Sequence, residues 1–158
     1  MSNFTPAQIL NSDQSGINYE SHGGRTLSFR GEKSTEAIIQ SFSSLTHSYT
    51  IMPLLSMEGK LLFPMLICLQ ETTGSFGPNV QQTMLKPDNL MIRCSRSGKM
   101  DKNMMRDFVM TAVVPNIIEN KVCLILDSWS GQKDQAIYEL PGKEIVVKTL
   151  PAGTTSFM

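Results

Sequence analysis

The sequence carries no surplus of either charge. Fourteen lysines and arginines face fourteen aspartates and glutamates, so no global field draws in a nucleic acid, a membrane surface or an acidic ligand, and any such partner has to be met by a local patch. Cysteine is scarce as well: Cys68, Cys94 and Cys123 stand far apart, two of them inside apolar runs, and no CxxC pair occurs. That pattern excludes a disulfide framework, argues against structural zinc and fits reduced core thiols. The two histidines, His22 and His47, stand at no metal-ligand spacing and are given no role. The longest apolar run, LLFPMLICL, has nine residues, about half of what a membrane-spanning helix needs. The opening MSNFTPAQIL has neither a basic leader nor an apolar stretch of signal-peptide length. A soluble, intracellular protein with no membrane partner is expected. Neither an internal repeat nor a low-complexity tract interrupts the chain.

What is present is enough apolar material for one core: 158 residues, 41% of them hydrophobic, so residues 1–158 are expected to form a single domain. Ile9 and Leu10 open a short strand that ends near Asp13, and Gly16 allows a turn after it. RTLSFRG, residues 25–31, alternates as a second strand. The clearest signal is a hairpin in HSYTIMPLLSMEGKLLFPMLICLQE, where Gly59 supplies the positive backbone angle of a tight turn between two apolar runs. Pro53 and Pro64 cannot donate ladder hydrogen bonds and are expected at an edge, a bulge or a strand end.

Between Glu71 and Leu90 the glycines and prolines predict a long connection with one helical turn around Val80 to Leu85. The segment MDKNMMRDFVMTAVVPNII then predicts a helix, with Asp101 as its N-cap and Pro115 ending or bending it. Its apolar face comprises Met104, Met105, Phe108, Val109, Ala112 and Val113. KVCLILD reads as a fully buried strand, SGQKDQAIYEL as a short helix and KEIVVKTL as a further strand. That order predicts an α/β fold, a mixed sheet with helices packed on it. The eleven methionines are expected as adaptable core filler rather than a cofactor box.

The unusual feature is Asp127, a carboxylate at the last position of the apolar run VCLILD. Ligands of open α/β sheets meet the carboxyl ends of strands, and Asp13 and Asp127 both occupy such ends. Were their strands neighbours, about 4.8 Å apart, the two carboxylates would repel unless a cation lay between them. A hard divalent ion with oxygen ligands suits that geometry. On pattern alone the commoner reading is that the two aspartates cap the turns that follow them, and both readings stand at this point. Asp134, seven residues beyond Asp127, is expected in a surface ion pair or a cap.

Taken in order, NSDQSGINYE, RTLSFRG, YTIMPLLSMEGKLLFPMLICLQE, SGKM, LILDSWSGQKD and LPAGTTSFM resemble the DDE endonuclease domain of the mariner/pogo transposase superfamily, its pogo, Tigger and Jerky-like relatives in particular. The similarity runs from about Gln8 to the last residue. It implies a ribonuclease-H-like mixed sheet with flanking helices, in which three acids hold two Mg2+ or Mn2+ ions for cleaving and joining DNA strands. Asp13 matches the first acid and Asp127 the second. The third acid of the family follows a segment like LPAGTTSFM in a Gln-Pro-Leu-Asp motif. The resemblance therefore implies a C-terminally incomplete fold, impaired chemistry and an uncovered sheet surface open to self-association. A nuclear location is implied as well. Gln132 stands where many relatives have a histidine, and the N-terminal DNA-reading domains of the relatives have no counterpart in these residues.

DNA contact is expected from RCSRSGKMDK, where Arg93, Arg96, Lys99 and Lys102 recur every three residues along a Ser/Gly-rich loop; an ordinary solvated loop reads the same way. Trp129, the only tryptophan, is expected in core packing beside the strand end rather than stacked on a base. The leading expectation is a transposase-derived DDE domain that binds DNA and divalent metal with cleavage lost or impaired. Two alternatives are a non-catalytic domesticated protein that keeps the fold for DNA association or protein interaction, and an intact nuclease completed by an acid from another chain.

Overall fold

In the computed structural model, which describes residues 4–19, 29–33 and 47–151, the apolar runs of the sequence become neighbouring strands of one mixed sheet. Seven strands are present among the described residues: β1 (Ile9–Ser12), β2 (Ser15–Asn18), β3 (Ser48–Ser56), β4 (Leu61–Gln70), β5 (Leu90–Ser95), β6 (Lys121–Leu126) and β7 (Glu144–Thr149). Their order is β5-β4-β3-β1-β6-β7, with β2 paired to β3. β3 runs antiparallel to β1, β2 and β4, while β1 and β6, β6 and β7, and β4 and β5 are parallel pairs. Strands β1, β4, β5, β6 and β7 therefore all point the same way. This is the mixed α/β architecture expected from the sequence, consistent with a ribonuclease-H-like fold.

The hairpin forms as the sequence dictates. Gly59, at φ 79°, closes the β3–β4 turn, where its N–H donates to the Ser56 carbonyl at 2.9 Å and the Ser56 N–H donates to the Lys60 carbonyl at 2.9 Å. Both hairpin prolines meet at one irregularity. Met52 pairs with Leu66 and Leu54 with Leu62, so Pro53 on β3 faces the three residues Phe63 to Met65 on β4. Bulging there removes two residues without N–H groups from the ladder, and the released Phe63 carbonyl accepts instead from Asn116 Nδ2 at 2.9 Å.

Helix α2 (Lys102–Phe108) begins at Asp101, whose carboxylate accepts from the Met104 N–H at 2.8 Å, as the capping pattern predicts. It widens into a π turn over Val109–Val113 and tightens into a 3-10 turn over Val114–Asn116. Pro115 explains the change. It has no N–H for the Thr111 carbonyl, and its ring would crowd that oxygen in a regular α-helix. Met105, Phe108, Val109, Ala112 and Val113 are buried in the core with Leu10, Met52, Leu54, Leu66, Leu124 and Leu126 of the sheet, and the predicted Met104 packs against it half-buried. Each large side chain so buried contributes about 1.5–3 kcal/mol. The other helix, α1 (Pro78–Thr83), buries no residue and lies close to the single turn expected near Val80.

Four expectations change. Gly16 makes no turn: it pairs with Thr50, and β2 continues β1 along β3 in one register, Ser12 opposite Leu54 and Ser15 opposite Ile51. The ladder lapses only at Asp13 and Gln14, where Asp13 comes opposite Pro53, a residue with no N–H to offer. The basic segment from Arg93, read as a loop, opens inside a strand: residues 90–95 form β5, held by six consecutive pairs with β4. SGQKDQAIYEL is two separate 3-10 turns, Ser130–Gln132 and Gln135–Ile137, rather than one helix; Asp134 accepts from the Ala136 N–H and starts the second turn afresh. The strand expected over RTLSFRG lies mostly outside the described residues, and Phe29 to Gly31 are not strand.

Candidate metal and nucleic-acid site

The seam between β1 and β6 decides whether the two strand-end acids meet. Ile9 pairs with Cys123, Leu10 with Leu124 and Asn11 with Ile125; continued by two residues, that register sets Asp13 beside Asp127. Side-chain alternation gives them the same face. Leu10, Leu124 and Leu126 are buried in one cluster with Met105 and Phe108 of α2 and Ser12 is buried as well, whereas Asn11 and Asp13 are exposed and Ile125 and Asp127 half-buried. Asp13 and Asp127 thus directly follow the ends of two neighbouring parallel strands, about 4.8 Å apart strand to strand.

Each carboxylate is also tied into the turn that follows it. Asp13 accepts from the Gln14 N–H at 2.7 Å and Asp127 from the Trp129 N–H at 3.3 Å, both through Oδ1. The capping reading is therefore realised, and it leaves the second oxygen of each side chain for another partner. No lysine or arginine pairs with either acid among the described residues. Two uncompensated anionic oxygen donors on a rigid seam fit a hard divalent cation. No group of three or more His, Cys, Asp or Glu side chains set to hold a metal occurs among the described residues, so these residues offer a pair of ligands.

The elements after Asp127 face the other way. The Ser130–Gln132 turn packs on α2, and Lys102 Nζ bridges to Asp134 at 2.5 Å. Hydrogen bonds from Lys102 and then from the Ala136 N–H hold the Asp134 carboxyl below its usual range. Asp134 is thus both an ion pair and a cap, as expected. Trp129 packs half-buried against the core, with its ring directly over Gly131, where a Cβ would lie 2.1 Å from the ring. Gln132 is buried, and neither atom of its side-chain amide has a hydrogen-bond partner. The Gln132 backbone carbonyl accepts from the buried Tyr138 hydroxyl at 3.0 Å, and burial pushes that phenol up to about 12.

The four basic residues do not form the uniform loop predicted for them. Arg93 lies on β5 and pairs with Asp107 of α2 at 3.1 Å, and Lys102 is the first residue of α2, held by Asp134. Arg96 and Lys99 remain exposed without an ion pair among the described residues. Their turn follows β5, so it lies at the same end of the sheet as Asp13 and Asp127, three strand spacings or about 14 Å from β1. Gly98 anchors it: its carbonyl accepts from the buried Thr50 Oγ1 at 2.7 Å. Asn11, not singled out by the sequence, shares the face of the two acids and bridges the seam, its Nδ2 donating to the Ile125 carbonyl at 3.3 Å. The alternation of ILNSD, polar at Asn11 and Asp13, was the signal for it.

No helix among the described residues is long and apolar enough to cross a membrane. No curated protein and no solved structure matches the chain. One family model does match, that described as DDE superfamily endonuclease, over residues 50–158. The match takes in Asp127 and the basic turn but begins after Asp13. Since it covers well over half of the sequence, the chain belongs to the DDE superfamily endonucleases, a family that typically works on DNA with a divalent metal.

Proposed function

We propose that residues 1–158 act as one domain, derived from a pogo-, Tigger- or Jerky-like transposase, that binds DNA and a divalent cation, Mg2+ or Mn2+, at Asp13 and Asp127. The observation that supports this reading is the parallel β1–β6 register, which sets side by side the two strand ends that Asp13 and Asp127 follow; carried on by two residues, it would put both carboxylates on one face. When bound there, the cation supplies positive charge against the oxygens of a scissile phosphate and activates a water or a 3′ hydroxyl. The chain's own part is to fix the two carboxylates. Their turn hydrogen bonds orient them, Asn11 ties β1 to β6 beneath them, and Arg96 and Lys99 offer phosphate contacts at the same end of the sheet.

Weak cation binding is the expected behaviour of a site to which the described residues bring two acids. Isothermal titration of the chain with Mg2+ is expected to show weak binding, and Asp127→Asn to weaken it about tenfold or more, the effect of about 1.4 kcal/mol. An unchanged isotherm in the variant would remove the site. Supercoiled DNA is expected to stay intact with the 158-residue chain, and robust cutting abolished by Asp13→Ala would replace the binding reading with that of an intact nuclease.

A further inference from the structure

The strand that closes the sheet beyond β6 carries a cation next to the paired acids. Lys148 of β7 stands opposite Ile125 of β6, and Ile125 stands opposite Asn11 of β1. Asn11, Ile125 and Lys148 therefore make one row across three strands, on the face of Asp13 and Asp127 and one pleat step behind them. The pairing holds to the strand end, since the Leu150 N–H donates to the Leu126 carbonyl at 2.8 Å. One strand spacing sideways and two residues along put the Lys148 backbone about 8 Å from that of Asp127. A lysine stem covers most of that distance and keeps its ammonium in water.

Lys148 is exposed and forms no ion pair among the described residues. Its neighbour at the other end of the same strand behaves differently. Glu144 pairs with Lys121 at 3.9 Å, so the charge at that end is matched within the chain. The unmatched ammonium is the one beside the acids.

From this placement we propose that Lys148 is a phosphate-contacting residue of the site, gripping a backbone oxygen of a nucleic-acid strand whose neighbouring phosphate lies over Asp13 and Asp127. The inference rests on the DNA- and cation-binding reading above and adds a contact on its β7 side. A point charge on a flexible stem suits a phosphate presented at variable depth. The opposite side already has Arg96 and Lys99, so a strand crossing the carboxyl ends of β5 to β7 would meet cations at both edges and anions with their metal between them.

The test is fluorescence anisotropy of a labelled mixed-sequence DNA duplex in Mg2+, titrated across salt concentrations with the unchanged chain and with Lys148→Gln, Lys148→Arg and Lys60→Gln. Lys60 sits at the β3–β4 turn, at the opposite end of the sheet, paired with Glu58 at 2.7 Å. Loss of one phosphate contact lowers the slope of log K against log salt by about 0.9. Lys148→Gln is expected to show that drop and a several-fold loss of affinity, Lys148→Arg to retain both, and Lys60→Gln to match the unchanged chain. Mg2+ affinity without DNA is expected to survive Lys148→Gln. Equal affinity and slope in Lys148→Gln and the unchanged chain would overturn the contact while leaving the proposed function in place. An unchanged chain that binds no DNA would overturn both.

Discussion

Replacing Phe108 with alanine is expected to cost the fold about 3–5 kcal/mol. Phe108 is fully buried, at 0% exposure, and is among the largest fully buried side chains of the core. It sits where the α part of α2 hands over to the π turn, so the helix cannot close over the hole without moving the carbonyls that Pro115 already disturbs. A domain of ordinary stability has about 5–15 kcal/mol in all. The loss would therefore appear as a large fall in the urea midpoint with an unchanged slope. The functional consequence follows from position. Phe108 shares one core cluster with Leu10 of β1 and with Leu124 and Leu126 of β6, so loosening α2 loosens the β1–β6 seam. A fall of less than 1 kcal/mol would mean that α2 is not seated on the sheet in this way.

Gly98→Ala is the second large effect. Gly98 has a φ of 68°, which costs a residue with a Cβ about 1–2 kcal/mol. The added methyl would also lie 2.3 Å from the Ser48 carbonyl oxygen, a backbone atom that cannot rotate aside, for about 1–3 kcal/mol more. The matched control is Gly142→Ala. Its φ of 72° carries the same penalty, but its Cβ would meet nothing within 4 Å, so only the conformational part is expected. The difference between the two variants, read by thermal or urea unfolding, isolates the contact that seats the basic turn on β3. Equal losses would show that the turn stands clear of Ser48. With Gly98→Ala, DNA binding is also expected to weaken at permissive temperature, because Arg96 and Lys99 flank the displaced turn.

Much of this arrangement was legible in the sequence because its determinants are local. Gly59 between two apolar runs dictates a hairpin, Asp101 followed by an apolar helical face dictates a capped helix, and continuous burial marks β6. What stayed hidden depends on partners distant in the chain. β5, LMIRCS, runs into the basic segment that follows it, and its pairing with β4 shows where the strand ends and the turn begins. The two 3-10 turns after Asp127 follow from the Trp129 ring lying on Gly131 and from the cap at Asp134, contacts no periodicity reveals. Pro53 was expected at an irregularity, yet its consequence was not, namely that the residue opposite it is Asp13.

For the candidate site, the sequence showed residue types but not their surroundings. Asp13 and Asp127 stood out as charges at strand ends, but their common face depends on a register set by three pairs between segments over a hundred residues apart. The basic segment was read as four equivalent cations. Two of them, Arg93 and Lys102, are matched by acids, which leaves Arg96 and Lys99. Lys148 went unnoticed because KEIVVKTL has three consecutive apolar residues rather than an alternation, and the strand's direction and neighbour were needed to show which face the lysine shares.

The claim on which the account turns is that one cation touches both carboxylates, and paramagnetic broadening by substoichiometric Mn2+ measures it most directly. In an amide NMR spectrum the Gln14 and Trp129 signals, whose N–H groups donate to Asp13 and Asp127, are expected to broaden together and to recover together in Asp127→Asn. Broadening confined to one of the two, or broadening that persists unchanged in the variant, would contradict a shared cation at the β1–β6 seam.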